Sequence, residues 1–213
     1  MDQEWVAIVP LGDSALLIRF GTELDAEANR RVVSFARCLA DDPLDQVLEI
    51  VPSLVSVLVR FDPLVADPVR LSGELSLRLQ GNQAHAPNRA HELTVRYDGP
   101  DLYEVSSGLG MSNEDFITRH NTAPLRVLAT GFAPGFVYCG FHPENMILPR
   151  RTAVRSIVPA GSILFAAGQT AIAATDVPTG WHVIGRTDFR NFDPGSTRPT
   201  VLEAGDLIRF VAA

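Results

Sequence analysis

Pro149-Arg150-Arg151, followed by Arg155, sets three guanidinium groups close together along the chain. Arginine offers a planar fork of N–H donors that matches the oxygens of a carboxylate or a phosphate, so this spacing suits an anion site. Local charge sharpens the point, because residues 116–175 hold Arg119, Arg126, Arg150, Arg151 and Arg155 against a single acid, Glu144. The chain as a whole is acidic, with 25 acids, 18 bases and a net charge of -7. The ordinary alternative is that these arginines pair with the acidic N-terminal part of the chain or with a partner protein.

All 18 bases are arginine and lysine is absent. Chemistry that needs an ε-amino group is thereby excluded: Schiff-base catalysis, a G-x-x-x-x-G-K phosphate loop, and a biotin or lipoate carrier acylated on lysine. The net negative charge argues against general binding to nucleic acid or anionic membranes, which needs a basic surface.

Five histidines are present. His120 ends a predicted helix, His142 lies in a loop, His85 and His91 lie in and just after a linker, and His182 should face away from Trp181 if both lie on a strand. No pair has zinc-ligand spacing, so no metal site is expected. His120 is taken as a candidate catalytic residue; the ordinary alternative is contact with the carbonyls that end its helix. Cys38 and Cys139 fit no metal or redox spacing and look like reduced thiols of a cytoplasmic protein.

Two Gly/Pro-framed clusters complete the candidates. Gly131-Phe132-Ala133-Pro134-Gly135-Phe136-Val137-Tyr138 carries aromatics that are costly to leave exposed, so it reads as a partner interface, a cleft wall or a core-filling corner. Val177-Pro178-Thr179-Gly180-Trp181-His182 leads into Ile184-Gly185-Arg186-Thr187.

The elements that position these residues fall into two textures. Residues 6–10 and 15–20 read as a strand pair about Gly12-Asp13, and residues 26–39 as an amphipathic helix capped by Asp25. Residues 47–51 and 55–61 read as two further strands, and Asp67-Pro68 opens a second helix striped by Leu71, Leu75 and Leu79. This ββαββα order predicts an α+β N-terminal domain over 1–80, followed by an aperiodic linker over 81–90. In the domain expected over 91–213, a strand at 93–97 and short helices at 101–107 and 112–120 precede apolar runs at 125–129, 162–167, 170–174, 181–185 and 207–211. Their spacing predicts an all-β barrel or sandwich. The N-terminus has no secretory pattern and no apolar run approaches ~18 residues, so a soluble intracellular protein is expected.

GFAPGFVYCGFHPE, PRRTAVRSIVPAGSI, AAGQTAI and PTGWHVIGRT, in this order, resemble the allophanate hydrolase subunit 1 family. The likeness extends to GDSALLIRFG, VPSLVSVLVRFDP and HELTVRYDGPDL and so covers essentially the whole chain. That family includes the B subunit of bacterial 5-oxoprolinase and the histidine kinase inhibitor KipI. The resemblance implies an α+β N-terminal domain followed by a cyclophilin-like β-barrel. It implies a subunit of a heteromeric, ATP-dependent amidohydrolase, inactive alone, acting on a small lactam or urea-type substrate. The implied partners are an allophanate hydrolase subunit 2 homologue, similar to the C subunit of 5-oxoprolinase, and a third 5-oxoprolinase subunit. ATP belongs to the complex, and a biotinylated lysine cannot come from this chain. A non-enzymatic kinase inhibitor is the alternative.

On this reading Arg155 and Arg186, with His120, form the catalytic group. Arg150, Gln169, Thr170, Gly180 and Trp181 bind the substrate or anion, and Phe132, Pro134, Phe136 and Tyr138 meet the partner or line the cleft. Arg150, Arg155 and Arg186 are expected to converge, since Arg150 and Arg155 belong to a segment nearly free of acids and lack obvious local partners. Ala173 stands where the family pattern has tyrosine, and Cys139 where it has leucine, which argues against a nucleophilic Cys139.

Overall fold

The computed structural model describes residues 6–80 and 89–213. They divide into two compact units, with the boundary between Pro87 and Asn88. Of the linker expected over 81–90, residues 81–88, with His85, lie outside the described residues. Its expected last residue, Ala90, instead opens a strand.

In the first unit β1 (Ala7–Pro10) and β2 (Ala15–Arg19) form a hairpin, followed by α1 (Ala26–Asp41). Strands β3 (Val47–Pro52) and β4 (Ser56–Phe61) and then α2 (Pro68–Gln80) complete it. The sheet is antiparallel throughout, in the order β1-β2-β4-β3. The Asp25 carboxylate accepts the Ala28 N–H at 2.6 Å and starts α1 where the sequence placed it. Alternation along the strands turns Leu16, Ile18, Val57, Val59 and Phe61 to one face, where Val32, Phe35, Leu39, Leu71 and Leu75 of the helices bury them. The first unit thus sets two helices against one face of a four-stranded antiparallel sheet.

The second unit opens with β5 (Ala90–Val95), then the short helices α3 (Leu102–Gly108) and α4 (Asn113–His120). Strands β6 (Leu125–Thr130) and β7 (Val137–Gly140) follow, and then β8 (Arg155–Val158) and β9 (Ser162–Ala166). The remaining strands are β10 (Gln169–Ile172), β11 (Val177–Thr179), β12 (His182–Arg186) and β13 (Leu207–Ala212). Seven of them form one curled sheet, β12-β9-β10-β7-β6-β13-β5, while β8 and β11 form a separate ribbon. The sheet is mixed, because β13 and β5 run parallel; with α3 and α4, the unit is therefore not all-β.

Burial explains why the sequence there reads as continuous apolar runs. Ile163 and Phe165 of β9 join the sheet's inner core with Phe116, Ile172, Ile184 and Phe210. Leu164 and Ala166 pack on the opposite face with Phe136, Trp181 and Val183, together with Val158 of β8 and Val177 of β11. A strand covered on both faces loses its polar/apolar alternation. No helix among the described residues is long and apolar enough to cross a membrane.

Arg96, one residue beyond β5, and Arg186 of β12 exchange two backbone hydrogen bonds of 2.9 Å, which join the outermost strands of the seven-stranded order. The next contacts are Gly99 N–H to Ile184 O at 3.2 Å and Asp101 N–H to Val183 O at 3.1 Å. A Cβ at Gly99 would overlap the Val183 oxygen, and one at Gly185 would overlap the Arg96 oxygen. Glycine is required there by contact distance.

A Gly99→Ala substitution is therefore expected to lower the unfolding free energy of the second unit by at least about 2 kcal/mol, as overpacking against backbone does. Gly73→Ala, in α2 where a side chain meets only open space, should raise that of the first unit by about 0.5–1 kcal/mol. Denaturant titration read by hydrogen exchange in each unit measures both.

Candidate functional site

The chain that closes the sheet also carries acids to the arginines. Asp101 stands at the N-cap position of α3, but its carboxylate makes no capping bond. It is 2% exposed, accepts the Val183 N–H at 2.8 Å through Oδ2, and receives Arg151 Nη1 at 2.8 Å and Arg155 Nη2 through Oδ1. Arg151 also reaches Glu104 at 2.7 Å. Arg186 directs both Nε, at 2.9 Å, and Nη2, at 2.7 Å, onto Oδ2 of Asp98. The expectation that these arginines lack partners is thus corrected. Their acids come from residues 98–104, far away in sequence and beside them only because the sheet closes.

Arg155 and Arg186 do meet, as walls of one cavity of about 320 Å³ that Asp98, Gly99, Ile157 and Ser162 also line. Arg150, Gln169, Thr170, Gly180 and Trp181 are not among its lining residues. The expected convergence of Arg150 with Arg155 and Arg186 is corrected accordingly. Arg150 instead stacks on Trp181, its guanidinium carbon 5.6 Å from the ring centroid, and the Gly180 carbonyl accepts the Arg151 N–H at 2.8 Å. Such a cation–π contact holds the exposed guanidinium without an acid.

The aromatic loop splits in the same way. Phe132 is 69% exposed at a φ of 76°, an uncommon conformation for a bulky side chain, and Pro134 is exposed beside it. Phe136 is only 2% exposed and belongs to the core, so it has no surface to lose to a partner. Tyr138 is half-buried between Phe136 and Trp181. Burial pushes its phenol pKa up, and the Arg150 cation pulls it part of the way back. Cys139 is fully buried, which raises its thiol pKa far above the nucleophilic range.

His120 and Thr170 meet inside the curled sheet, away from the lining of that cavity, together with two residues that the sequence did not connect to them. His120 Nδ1 lies 2.8 Å from Tyr97 Oη, and Tyr97 donates to Asn121 Oδ1 at 2.6 Å. His120 Nε2 and His142 Nε2 each lie 2.8 Å from Thr170 Oγ1. One direction of donation satisfies every member: His142 Nε2–H to Thr170, Thr170 O–H to His120 Nε2, His120 Nδ1–H to Tyr97, and Tyr97 O–H to Asn121. Phe116 and Phe210 surround His120 at ring separations of 5.7 and 5.2 Å. His120 therefore contacts side chains in the interior, and its helix-ending position in the sequence held no sign of this. The only sequence signal for His142 was its place in the GFHPE motif.

Burial, then the nearby His142, lowers the His120 pKa to about 3, and burial lowers that of His142 to about 4. Both imidazoles are neutral in the folded protein at pH 7. No group of His, Cys, Asp and Glu among the described residues could hold a metal ion.

Since unfolded histidine takes up its proton near pH 6.5, the unfolded chain binds protons below that pH that the folded chain does not. Stability should accordingly fall as pH drops from 7 to 5, by about 2 kcal/mol for each of the two imidazoles. His142→Gln keeps a donor for Thr170 and should remove its own share of the slope in denaturant midpoints. At the arginines, Asp101→Asn leaves the partly buried Arg155 guanidinium without its acid, and Arg151 with Glu104 alone, and should cost about 3 kcal/mol. Asp98→Asn breaks an exposed pair and should cost less than about 1 kcal/mol, measured by the same titration.

The family description "Carboxyltransferase domain, subdomain C and D" matches residues 6–202. The 5-oxoprolinase B subunit of Bacillus subtilis (strain 168) is 33% identical over 219 residues, covering 96% of this chain and 91% of that protein. Among solved structures, TTHA0988 is 35% identical with a TM-score of 0.83 over 93% of this chain, which spans 40% of TTHA0988. The Kluyveromyces lactis urea carboxylase gives a TM-score of 0.79 over 98% of this chain and 22% of its own; at 15% identity it shows the fold alone. With most of its length matched to the family and a relative one-third identical along nearly all of it, the chain belongs to the carboxyltransferase subdomain C and D family.

Proposed function

We propose that this chain is the B-type subunit of a heteromeric, ATP-dependent amidohydrolase of the 5-oxoprolinase kind, which opens a small lactam or urea-type amide bond. The near full-length identity to the Bacillus subtilis 5-oxoprolinase B subunit carries this reading. A lactam or urea nitrogen is a poor leaving group without activation, so ATP would be used by the assembled complex, and this cytoplasmic chain would be inactive alone. A subunit 2 homologue and a third subunit would supply what it lacks, docking in part on the exposed Phe132 and Pro134 and on Tyr138. The curled sheet is read as a cyclophilin-like barrel, and shape of that kind carries no activity of its own.

In this reading the cavity between Arg155 and Arg186 receives the carboxylate or phosphoryl oxygens of the substrate or its activated form. Asp101 holds the Arg155 guanidinium through a hydrogen bond, which lowers the ordering cost when the anion arrives. His120 lies in the interior network and is assigned the positioning of Thr170 and β10.

Reconstitution with subunit 2 and third-subunit homologues should yield ATP-dependent opening of 5-oxoproline or of a related lactam or urea, with no turnover by the chain alone. Arg155→Lys keeps the charge and loses the fork, so it should cut turnover of the complex at least about tenfold while the complex still assembles. Turnover by the purified chain, or inhibition of a sensor histidine kinase with no hydrolysis by any assembly, would refute the proposal.

A further inference from the structure

The two arginines of the cavity are held by acids of different kinds. Asp101, which holds Arg155, is 2% exposed and fixed from a third side by the Val183 N–H. Asp98, which holds Arg186, has a side chain 48% exposed against 60% for the arginine. Asp98 also lines the cavity itself, whereas Asp101 does not. Both contacts from Arg186 fall on one oxygen, Oδ2, of Asp98. A guanidinium fork is best met by two parallel bonds to two oxygens, so a free carboxylate or phosphate can pair with Arg186 better than Asp98 does. An exposed pair of this kind is weak and readily exchanged.

We infer that Asp98 is a built-in competitor for the anion cavity: its carboxylate occupies Arg186 when the cavity is empty, and an incoming oxyanion with two free oxygens displaces it. The inference rests on reading the cavity as an anion site. Arg155, anchored by Asp101, then forms the permanent wall, and Arg186 the wall that changes partner. Its unpartnered, buried Nε leaves Arg155 a donor still to satisfy. The competition sets a threshold, because an anion offering a single oxygen gains nothing over Asp98. Selection thus favours ligands by the number and spacing of their oxygens, beyond their charge.

Titration of the full chain with inorganic phosphate and, separately, with 5-oxoproline, followed by NMR of the arginine Nε–H signals, tests this and separates the two ligand classes. Asp98→Asn should bind at least one probe two- to fivefold more tightly than wild type, with shifts at Arg155 and Arg186. Asp98→Ser serves as a second variant with the same expected gain. Glu49→Gln frees Arg60 in the first unit from its 2.7 Å pair and changes net charge equally, so it should leave affinity unchanged. Adding Arg186→Gln to Asp98→Asn should abolish the gain.

Binding by the Asp98 variants with none by wild type would also support the inference, as a site fully masked by its competitor. Equal affinity in wild type and both Asp98 variants overturns it while leaving the anion cavity standing. Equal tightening by Glu49→Gln also overturns it, as an effect of net charge. Absence of binding in wild type and in both Asp98 variants overturns the inference and the cavity reading together.

Discussion

Backbone contact between residues 96–101 and β12 is the constraint on which the second unit turns. It joins the ends of a seven-stranded order, and it does so at a separation that admits no side chain at Gly99 or Gly185. The same few residues bring Asp98 and Asp101 to Arg186 and Arg155. Sheet closure and charge pairing are therefore one feature of the structure. A loosened seam would disperse the acids as well as the strands, leaving guanidinium groups that must either find water or find another anion.

Polarity is buried in two different ways on either side of that seam. Inside the sheet, His120, His142, Tyr97 and Thr170 are neutral and satisfy one another in a directed chain of hydrogen bonds. Desolvation there would penalise any charge, so the imidazoles hold no proton at neutral pH. At the seam acids face arginines, and opposite charges in contact offset the desolvation. Exclusive use of arginine suits this placement: the guanidinium stays ionised when partly buried and its planar fork can serve two acceptors at once, as Arg151 does with Asp101 and Glu104. Where no acid is close, Arg150 lies over Trp181.

The result is a site with one rigid and one exchangeable half. Rigid anchoring on Asp101 limits the ordering that a ligand must impose, and exposure at Asp98 allows a change of partner without opening the core. Such a division fits a subunit whose chemistry is completed by other chains, since the cavity needs to hold an anion but none of its lining residues is a histidine, cysteine or lysine.

Much of this was legible in the residues themselves. The first unit could be read almost element by element, because its period-2 strands, its 3.6-period helices and the Asp25 cap are local patterns of a structure with one buried face. The arginine cluster, the aromatic loop and the family resemblance were visible for the same reason, being runs of adjacent residues. Tertiary structure alone decided the rest. Strands β7, β8 and β11 are too short to show a period, and the parallel pairing of β13 with β5 joins residues more than a hundred positions apart. Local charge counting could not find acids that reach Arg155 and Arg186 from residues 98–101, and nothing in the spacing of His120, His142 and Tyr97 marks them as one hydrogen-bonded chain with Thr170. A side chain's chemistry and its local period are properties of the chain, whereas its partner, its burial and hence its charge state depend on which distant backbone comes close enough to exclude water.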